Sequence, residues 1–365
     1  VPPGALPDFP WDLLEPARVR AEEHPDGLVD LSIGTPVDPV PRVVREALAA
    51  AADTPGYPRT AGTPALAAAI AGWLHSAAGA GAGAGPDGLR VLPTIGSKEF
   101  VAGLPALLRL GPGDAVVVPA VCYPTYEVGA RLVGATVVRA DRPDRVPADV
   151  PVRLVWVNSP GNPTGAVLPA AALARWVAWV RERDAVLASD ECYLSLGWEA
   201  APVSVLAACG GSYHRVLAVH SLSKRSNLAG YRAGFVAGDP DLVGGLLAVR
   251  RHAGMMVPAP VQAAMVAALG DERHVLEQRE RYAARRERLW RAVTGAGFTV
   301  SHSRAGLYLW ITRGGDCWAD VDWFAGRGIL VAPGSFYGPA GAGYVRMALT
   351  APDDRVAAVV ARLSG

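Results

Sequence analysis

The chain has 365 residues, 51% hydrophobic and 19% charged, which is enough apolar material for about two domains and excludes a disordered chain. With 35 Lys+Arg against 34 Asp+Glu the net charge is +1, so neither a basic nucleic-acid-binding surface nor an acidic tail is expected. No apolar run nears the roughly 18–20 residues of a membrane span. The N-terminal VPPGALPDFPWDLLEP lacks a basic region ahead of an apolar stretch and is not expected to be a signal peptide. Cys122, Cys192, Cys209 and Cys317 form no CxxC, which argues against a zinc site or disulfide framework and for a reducing compartment, the cytoplasm.

Among the basic residues only Lys98 and Lys224 are lysines, and asparagine occurs only at 158, 162 and 227. A high-G+C coding bias accounts for both shortages and for the richness in Ala, Gly, Pro and Arg. Under that bias a surface lysine readily becomes arginine. A lysine that persists is one whose amine is needed, because arginine cannot act as a nucleophilic free amine. Lys224 and, less strongly, Lys98 are therefore singled out.

Residues 1–40 read as an arm, with a short helix over 11–23 and the apolar LVDLSIG before a Gly-Thr-Pro turn. Helices are predicted over 42–52 and 65–77, flanking the turn-rich TPGYPRTAGTP, and AAGAGAGAG (77–85) reads as a loop. Seven short apolar runs follow, at 89–96, 115–120, 135–140, 153–158, 185–189, 215–220 and 234–238. Helical stretches separate several of them, at 99–110, 126–132 and 170–183. Such alternation predicts a mostly parallel sheet covered on both faces. A charge-rich helix over 271–296, four strand-like runs at 298–303, 306–312, 329–334 and 344–349, and a closing helix over 353–363 predict a smaller α+β domain.

In open α/β sheets ligands gather at the carboxyl ends of the strands, and there the polar clusters stand. Gly96-Ser97-Lys98-Glu99 opens a helix whose free amides suit a phosphate, although Gly-Ser is also an ordinary helix start. Tyr123 could stack on a planar ligand or simply pack. Asn158 and Asn162 bring two of the three asparagines into one Pro- and Gly-punctuated turn, where an amide can donate to an anionic oxygen. Asp190, ending an apolar strand in SDECY, requires a cationic partner from protein or ligand. Ser221, Ser223 and Lys224 follow the sixth run, with Arg232 eight residues on, and combine phosphate donors with an amine nucleophile. Together they form a phosphate cup, an amine, a buried carboxylate, an amide donor and an aromatic plate. That set suits an aromatic aldehyde phosphate with a basic ring nitrogen. The seven histidines show no metal-ligand spacing, and no metal is expected.

These motifs, NPTG, SDECY and SLSK followed by Arg232, resemble those of the fold-type I (class I/II) aminotransferases that use pyridoxal 5'-phosphate (PLP). The likeness runs from SIGTP (32–36) to YVRMAL (344–349). GYPRTAGTPAL, LPTIGSKE, VNSPGNPTG, HSLSKRSNLAGYRAGFVAGD and LVAPGSFYGPAG resemble the N-succinyl-LL-diaminopimelate aminotransferase branch of high-G+C bacteria. The resemblance implies a large domain with a seven-stranded, mainly parallel sheet between helices and a smaller α+β domain. The divisions would be 1–40 as an arm joining the small domain, 41–245 for the PLP domain, and 246–365 for an interdomain helix and small C-terminal domain. It further implies that Lys224 bonds covalently to PLP and carries the substrate proton. Asp190 would pair with the ring nitrogen, while Asn162 and Tyr193 bond the phenolic oxygen. Tyr123 would stack on the ring. The phosphate would lie on the amides of Ser97 and Lys98 and on Ser221, Ser223 and Arg232. Arg346 would take the substrate α-carboxylate in its planar fork, near Gly34 and Asn162. Tyr57 would reach the phosphate of a neighbouring subunit, which implies a homodimer with shared sites. The implied reaction is ping-pong transamination between an amino acid and a 2-oxo acid in lysine biosynthesis.

Three alternatives share these residues. An aminotransferase for aspartate, aromatic amino acids or alanine would differ only in its side-chain pocket. For a doubly acidic substrate, Arg59 and Arg225 are candidate distal ligands by their closeness to motifs. A PLP-dependent lyase would need no amino acceptor. A non-catalytic binding protein on the same fold would have no reason to keep every cofactor position.

Overall fold

The computed structural model describes residue 6, residues 9–79 and residues 88–364. Residues 80–85 of the Gly/Ala-rich stretch lie outside the described residues. The N-terminal portion holds α1 (Glu15–Glu22), β1 (Val29–Asp30), α2 (Arg42–Ala50) and α3 (Pro64–Ala77). Then come β2 (Arg90–Ile95), α4 (Gly96–Leu107), β3 (Ala115–Val118), α5 (Thr125–Leu132), β4 (Thr136–Arg139), β5 (Val152–Asn158) and α6 (Ala170–Glu182). They are followed by β6 (Val186–Asp190), α7 (Val205–Ala208), β7 (Val216–Ser221), α8 (Leu222–Arg225) and β8 (Ala233–Gly238). Helices α9 (Pro240–His252), α10 (Ala259–Leu269) and α11 (Arg273–Gly295) lead into β9 (Thr299–Ser301) and β10 (Tyr308–Thr312). The chain closes with α12 (Cys317–Ala325), β11 (Ile329–Leu330), β12 (Ala332–Pro333), β13 (Val345–Ala348) and α13 (Asp353–Ser364).

All seven predicted strands exist and form one sheet in the order β2-β8-β7-β6-β5-β3-β4. Strands β3 to β7 pair in parallel, whereas β8 runs antiparallel to both β7 and β2. Every residue of β3, β6, β7 and β8 is buried, as continuous apolar runs require when helices cover both faces. One face packs on α2, α3, α6 and α10 around Leu74, Trp176 and Met265. The other packs on α4, α5 and α9 around Phe100, Tyr126 and Leu246.

A separate apolar core joins the arm to the C-terminal elements. Leu14, Val29 and Leu31 pack there with Leu289, Phe324, Met347 and Val359. Strand β1 pairs in parallel with β11, and the four-stranded sheet β12-β13-β10-β9 completes this layer. The sequence reading missed α7 and α8, which have four residues each and show no periodicity, as well as α9, α10 and α12. Helix α10 is small-residue-rich and buried against α2 and α3, so it has no polar stripe to reveal it.

Candidate active site

The topology brings the polar clusters to one sheet edge. Strands β5, β6 and β7 are parallel and end at Asn158, Asp190 and Ser221, with Asn158 opposite Asp190 in register. Because β8 is antiparallel to both neighbours, its start after Arg232 and the end of β2 before Gly96 fall on the same edge. A cavity of about 1060 Å³ opens there. It is lined by Gly34, Ser97, Lys98, Tyr123, Asn162, Asp190, Tyr193, Ser221, Ser223, Lys224, Arg232 and Arg346, the set singled out from sequence except Tyr57. Tyr57 is 96% exposed and lies outside the cavity.

Lys224 lies in the last turn of the short helix α8, and its Nζ donates to the Gly34 carbonyl. Burial pushes its amine below the usual lysine range. Asp190 is 6% exposed and accepts from Tyr126 Oη at 2.7 Å and from the Cys192 amide at 3.2 Å. Among the described residues no side-chain cation pairs with it, and burial pushes its carboxyl up. The cationic partner that such a carboxylate requires is therefore left to a ligand.

Beside it, Ser221 caps α8 by accepting from the Ser223 amide, and the two hydroxyls lie 2.9 Å apart. Helix α4 begins at Gly96 with φ +71°, and its first-turn amides face the same spot. The Arg232 guanidinium occupies the space where a Cβ at residue 96 would stand, beside the start of α4. Two hydroxyls, a guanidinium and a helix start form an anion cradle.

Arg346 is 3% exposed, yet no acidic side chain among the described residues pairs with it. It donates to Asn162 Oδ1 at 2.9 Å and to the Ser32 carbonyl, and its guanidinium carbon sits 4.0 Å from the Tyr308 ring centre. Asn162 is held by its own amide donating to Asn158 Oδ1 at 2.7 Å. A buried, unpaired guanidinium with free edge suits a carboxylate.

Tyr126 and Tyr308 are not marked by the sequence motifs, and Asn158 has a structural task beyond the donor role expected of its turn. Tyr126, stacked on Trp156 at 5.0 Å, buttresses Asp190; the repeated tyrosine in YPTY was the only signal. Asn158 ties the β5 and β6 ends together through the Asp190 carbonyl at 2.9 Å. Tyr308 touches Tyr193, and no local motif marks it. Two guesses are corrected. Arg225 faces away from the cavity, paired with Glu272 at 2.7 Å and stacked on Trp73, and Arg59 lies exposed outside it. Gly34 matters first for Tyr308, since a Cβ there would collide with the Tyr308 hydroxyl.

The cradle, the amine, the unpaired carboxylate and the aromatic Tyr123 thus fit PLP: anionic phosphate, aldehyde, basic ring nitrogen and flat ring. The sequence profile of the family "Aminotransferase class I and II" matches residues 26–363, and the chain belongs to this family of PLP-dependent enzymes. It is 57% identical to the 4-dedimethylamino-4-oxo-anhydrotetracycline transaminase of Streptomyces rimosus, over 98% of this chain and 99% of that one. It is 58% identical to a probable aminotransferase of Mycobacterium tuberculosis, over 99% of this chain and 86% of the other. Among solved structures it superposes on a probable N-succinyldiaminopimelate aminotransferase of Thermus thermophilus with a TM-score of 0.87 and 30% identity, covering 98% and 99% of the two chains.

Proposed function

We propose that this aminotransferase acts on N-succinyl-LL-2,6-diaminopimelate, exchanging its amino group with 2-oxoglutarate and glutamate in lysine and diaminopimelate synthesis. The supporting observation is how the cavity's cations are committed. Arg232 belongs to the anion cradle, Lys224 to the cofactor and Arg346 to the substrate α-carboxylate. Arg139 is tied to Glu127. Lys98 alone has no acidic or hydrogen-bonding partner among the described residues; its Nζ lies 5.9 Å from the Phe9 ring centre at the cavity mouth. A second uncommitted cation in the cavity that holds Arg346 suits a long substrate with a distal acid.

When bound, PLP supplies an electron sink that makes a substrate Cα proton acidic. The chain's own residues do the rest. The backbone amides of Ser97 and Lys98, with the side chains of Ser221, Ser223 and Arg232, would hold the phosphate, and Tyr123 would cover the ring. Asp190, kept from water and without a protein cation, would hold the ring nitrogen's proton. Asn162 and Tyr193 would donate to the phenolic oxygen. Lys224, with its depressed amine, would take the Cα proton at Nζ. Arg346 and Asn162 would orient the α-carboxylate beside Gly34. The chain would divide at 40/41 and 245/246, pair with a second copy through Tyr57, and work in the cytoplasm, which its four free thiols suit.

A second reading follows from the mouth of the cavity. Phe9, Trp11, Phe336 and Trp318 form an aromatic wall with ring spacings of 5.5–5.7 Å. Such a wall suits a fused-ring ketone of the kind named for the Streptomyces relative. The test is a spectral half-reaction with N-succinyl-LL-diaminopimelate, aspartate and aromatic amino acids, together with reverse conversion by an anhydrotetracycline-type ketone. Fastest conversion by the succinylated diamine supports the first reading, and conversion by the ketone alone replaces it. Lys98→Ala should cut kcat/KM for the succinylated diamine about 10- to 100-fold, the worth of a hydrogen bond to a charged group, and leave alanine unaffected.

A further inference from the structure

Two phenols meet in the cavity wall. Tyr308, at the start of β10, is 4% exposed, and its hydroxyl lies 3.1 Å from that of Tyr193. The two rings meet nearly edge to face at 5.8 Å. Arg346 covers the Tyr308 ring, and only a glycine at residue 34 leaves room for its hydroxyl. The carbonyl of the same Gly34 receives the Lys224 amine. Tyr308 is thereby wedged between the groups that would hold the substrate carboxylate and those that would hold the cofactor.

Two phenols in contact must settle which one donates. Tyr308 is faced by the cations Lys224 and Arg346, by the phenols Tyr123, Tyr193, Tyr282 and Tyr337, and by the Cys192 thiol. Burial opposes ionisation of both members of the pair. At Tyr308, Arg346 and Lys224 outweigh it and pull the phenol below its ordinary range, whereas Tyr193 is pushed well above. The more acidic phenol is the better donor. The 3.1 Å contact fits either hydroxyl as donor; with Tyr308, the one under Arg346, donating, the Tyr193 proton is left free for an acceptor in the cavity. Donation into a hydroxyl also strengthens that hydroxyl's own donation.

We propose that Tyr308 is a positioning residue of the transamination site, aiming the Tyr193 hydroxyl at the phenolic oxygen of the cofactor. This rests on the role given to Tyr193 above. A donor at that oxygen competes for it with the proton on the neighbouring lysine-derived nitrogen. Losing the donor should raise the pH at which that nitrogen deprotonates. The experiment is a pH titration of the visible absorbance of substrate-free holoenzyme, for the native protein, Tyr308→Phe, Tyr193→Phe and the double variant. Tyr308→Phe removes one oxygen and keeps the ring under Arg346. Its midpoint is expected to rise by roughly 0.4–1 pH unit, the equivalent of one neutral hydrogen bond. Tyr193→Phe should rise further, and the double variant should match Tyr193→Phe alone, because Tyr308 acts through Tyr193. An unmoved midpoint in Tyr308→Phe beside a shifted Tyr193→Phe overturns the proposal and leaves the reading of Tyr193 standing. Fully additive shifts overturn it as well. No shift in either single variant removes the assignment of Tyr193 and this proposal together.

Discussion

Directly behind Asp190 lies a second buried acid whose neighbours differ. Glu191 accepts from Ser189 Oγ at 2.9 Å and the Val205 amide at 2.7 Å, while its other oxygen faces His220 Nε2 at 3.5 Å with no hydrogen bond. Burial raises the carboxyl to about 7 and lowers the imidazole to about 3, so both are neutral between about pH 3 and 7 and the contact is no ion pair. A raised folded-state pKa gives stability that is full below the unfolded value of 4.5 and lost as pH rises through about 7. His220 acts oppositely, with its contribution lost as pH falls below 6.5. Glu191→Gln should therefore flatten the decline in stability between about pH 4.5 and 7, gaining roughly 1–3 kcal/mol above pH 7. Denaturant unfolding across that pH range would show it; an unchanged slope would mean that Glu191 ionises freely in the fold. At this scale the sequence was informative about cost. Asp190, a carboxylate ending an apolar strand, called for a cation, and the structure supplies none among the described residues. Tyr126 and Tyr308 were not legible, because nothing within a few residues of either shows what it touches.

Among the elements, α4 depends most visibly on distant support. Its first turn is closed by Glu99, whose Oε1 accepts from the Ile95 amide at 2.9 Å. Both Glu99 oxygens also take Arg250 from α9, at 3.1 and 2.7 Å, and Arg250 is fully buried. The anion cradle at Gly96 thus sits on a buried ion pair. Glu99→Ala would strand the guanidinium and should cost roughly 3–5 kcal/mol, read by chemical denaturation, with weaker phosphate binding. Replacing both partners by Met should cost much less; an equal loss would mean that the pair is not what holds α4. Helix α4 is legible in sequence: Gly96-Ser97-Lys98-Glu99 reads as its opening, where the structure starts it, although the apolar periodicity by itself begins only near Glu99.

Across the whole molecule, contacts tie the segment carrying Lys224 to the far core. Arg225 pairs with Glu272, Ser226 with His274 at 2.8 Å, and Asn227 with Gln278 at 2.9 Å, all at the start of α11. Arg285 farther along α11 grips Asp38 through both oxygens. Tyr57 is 96% exposed and has no such anchorage among the described residues. If it completes a neighbour's site, mixing Lys224→Ala with Tyr57→Ala protein should restore activity. Random reassortment gives each mixed dimer one intact site, so recovery should approach roughly a quarter of native activity. Two inactive variants that stay inactive after subunit exchange would show that the sites are not shared.

Much of this protein was determined locally. Strand positions, the helices between them and the polar residues at strand ends are short-range patterns, set by the two-residue and 3.6-residue periods and by turn chemistry. A parallel sheet then places strand ends together without further information, which is why Asn158, Asp190 and Lys224 could be grouped from spacing alone. Tertiary structure decided the rest. The reversal of β8, the contact between the Tyr308 and Tyr193 hydroxyls, the Arg346–Asn162 contact and the Glu99–Arg250 pair join residues that are far apart in the chain. Their partners are chosen by how the layers pack and by which buried polar groups must find one another, and no local period encodes that choice.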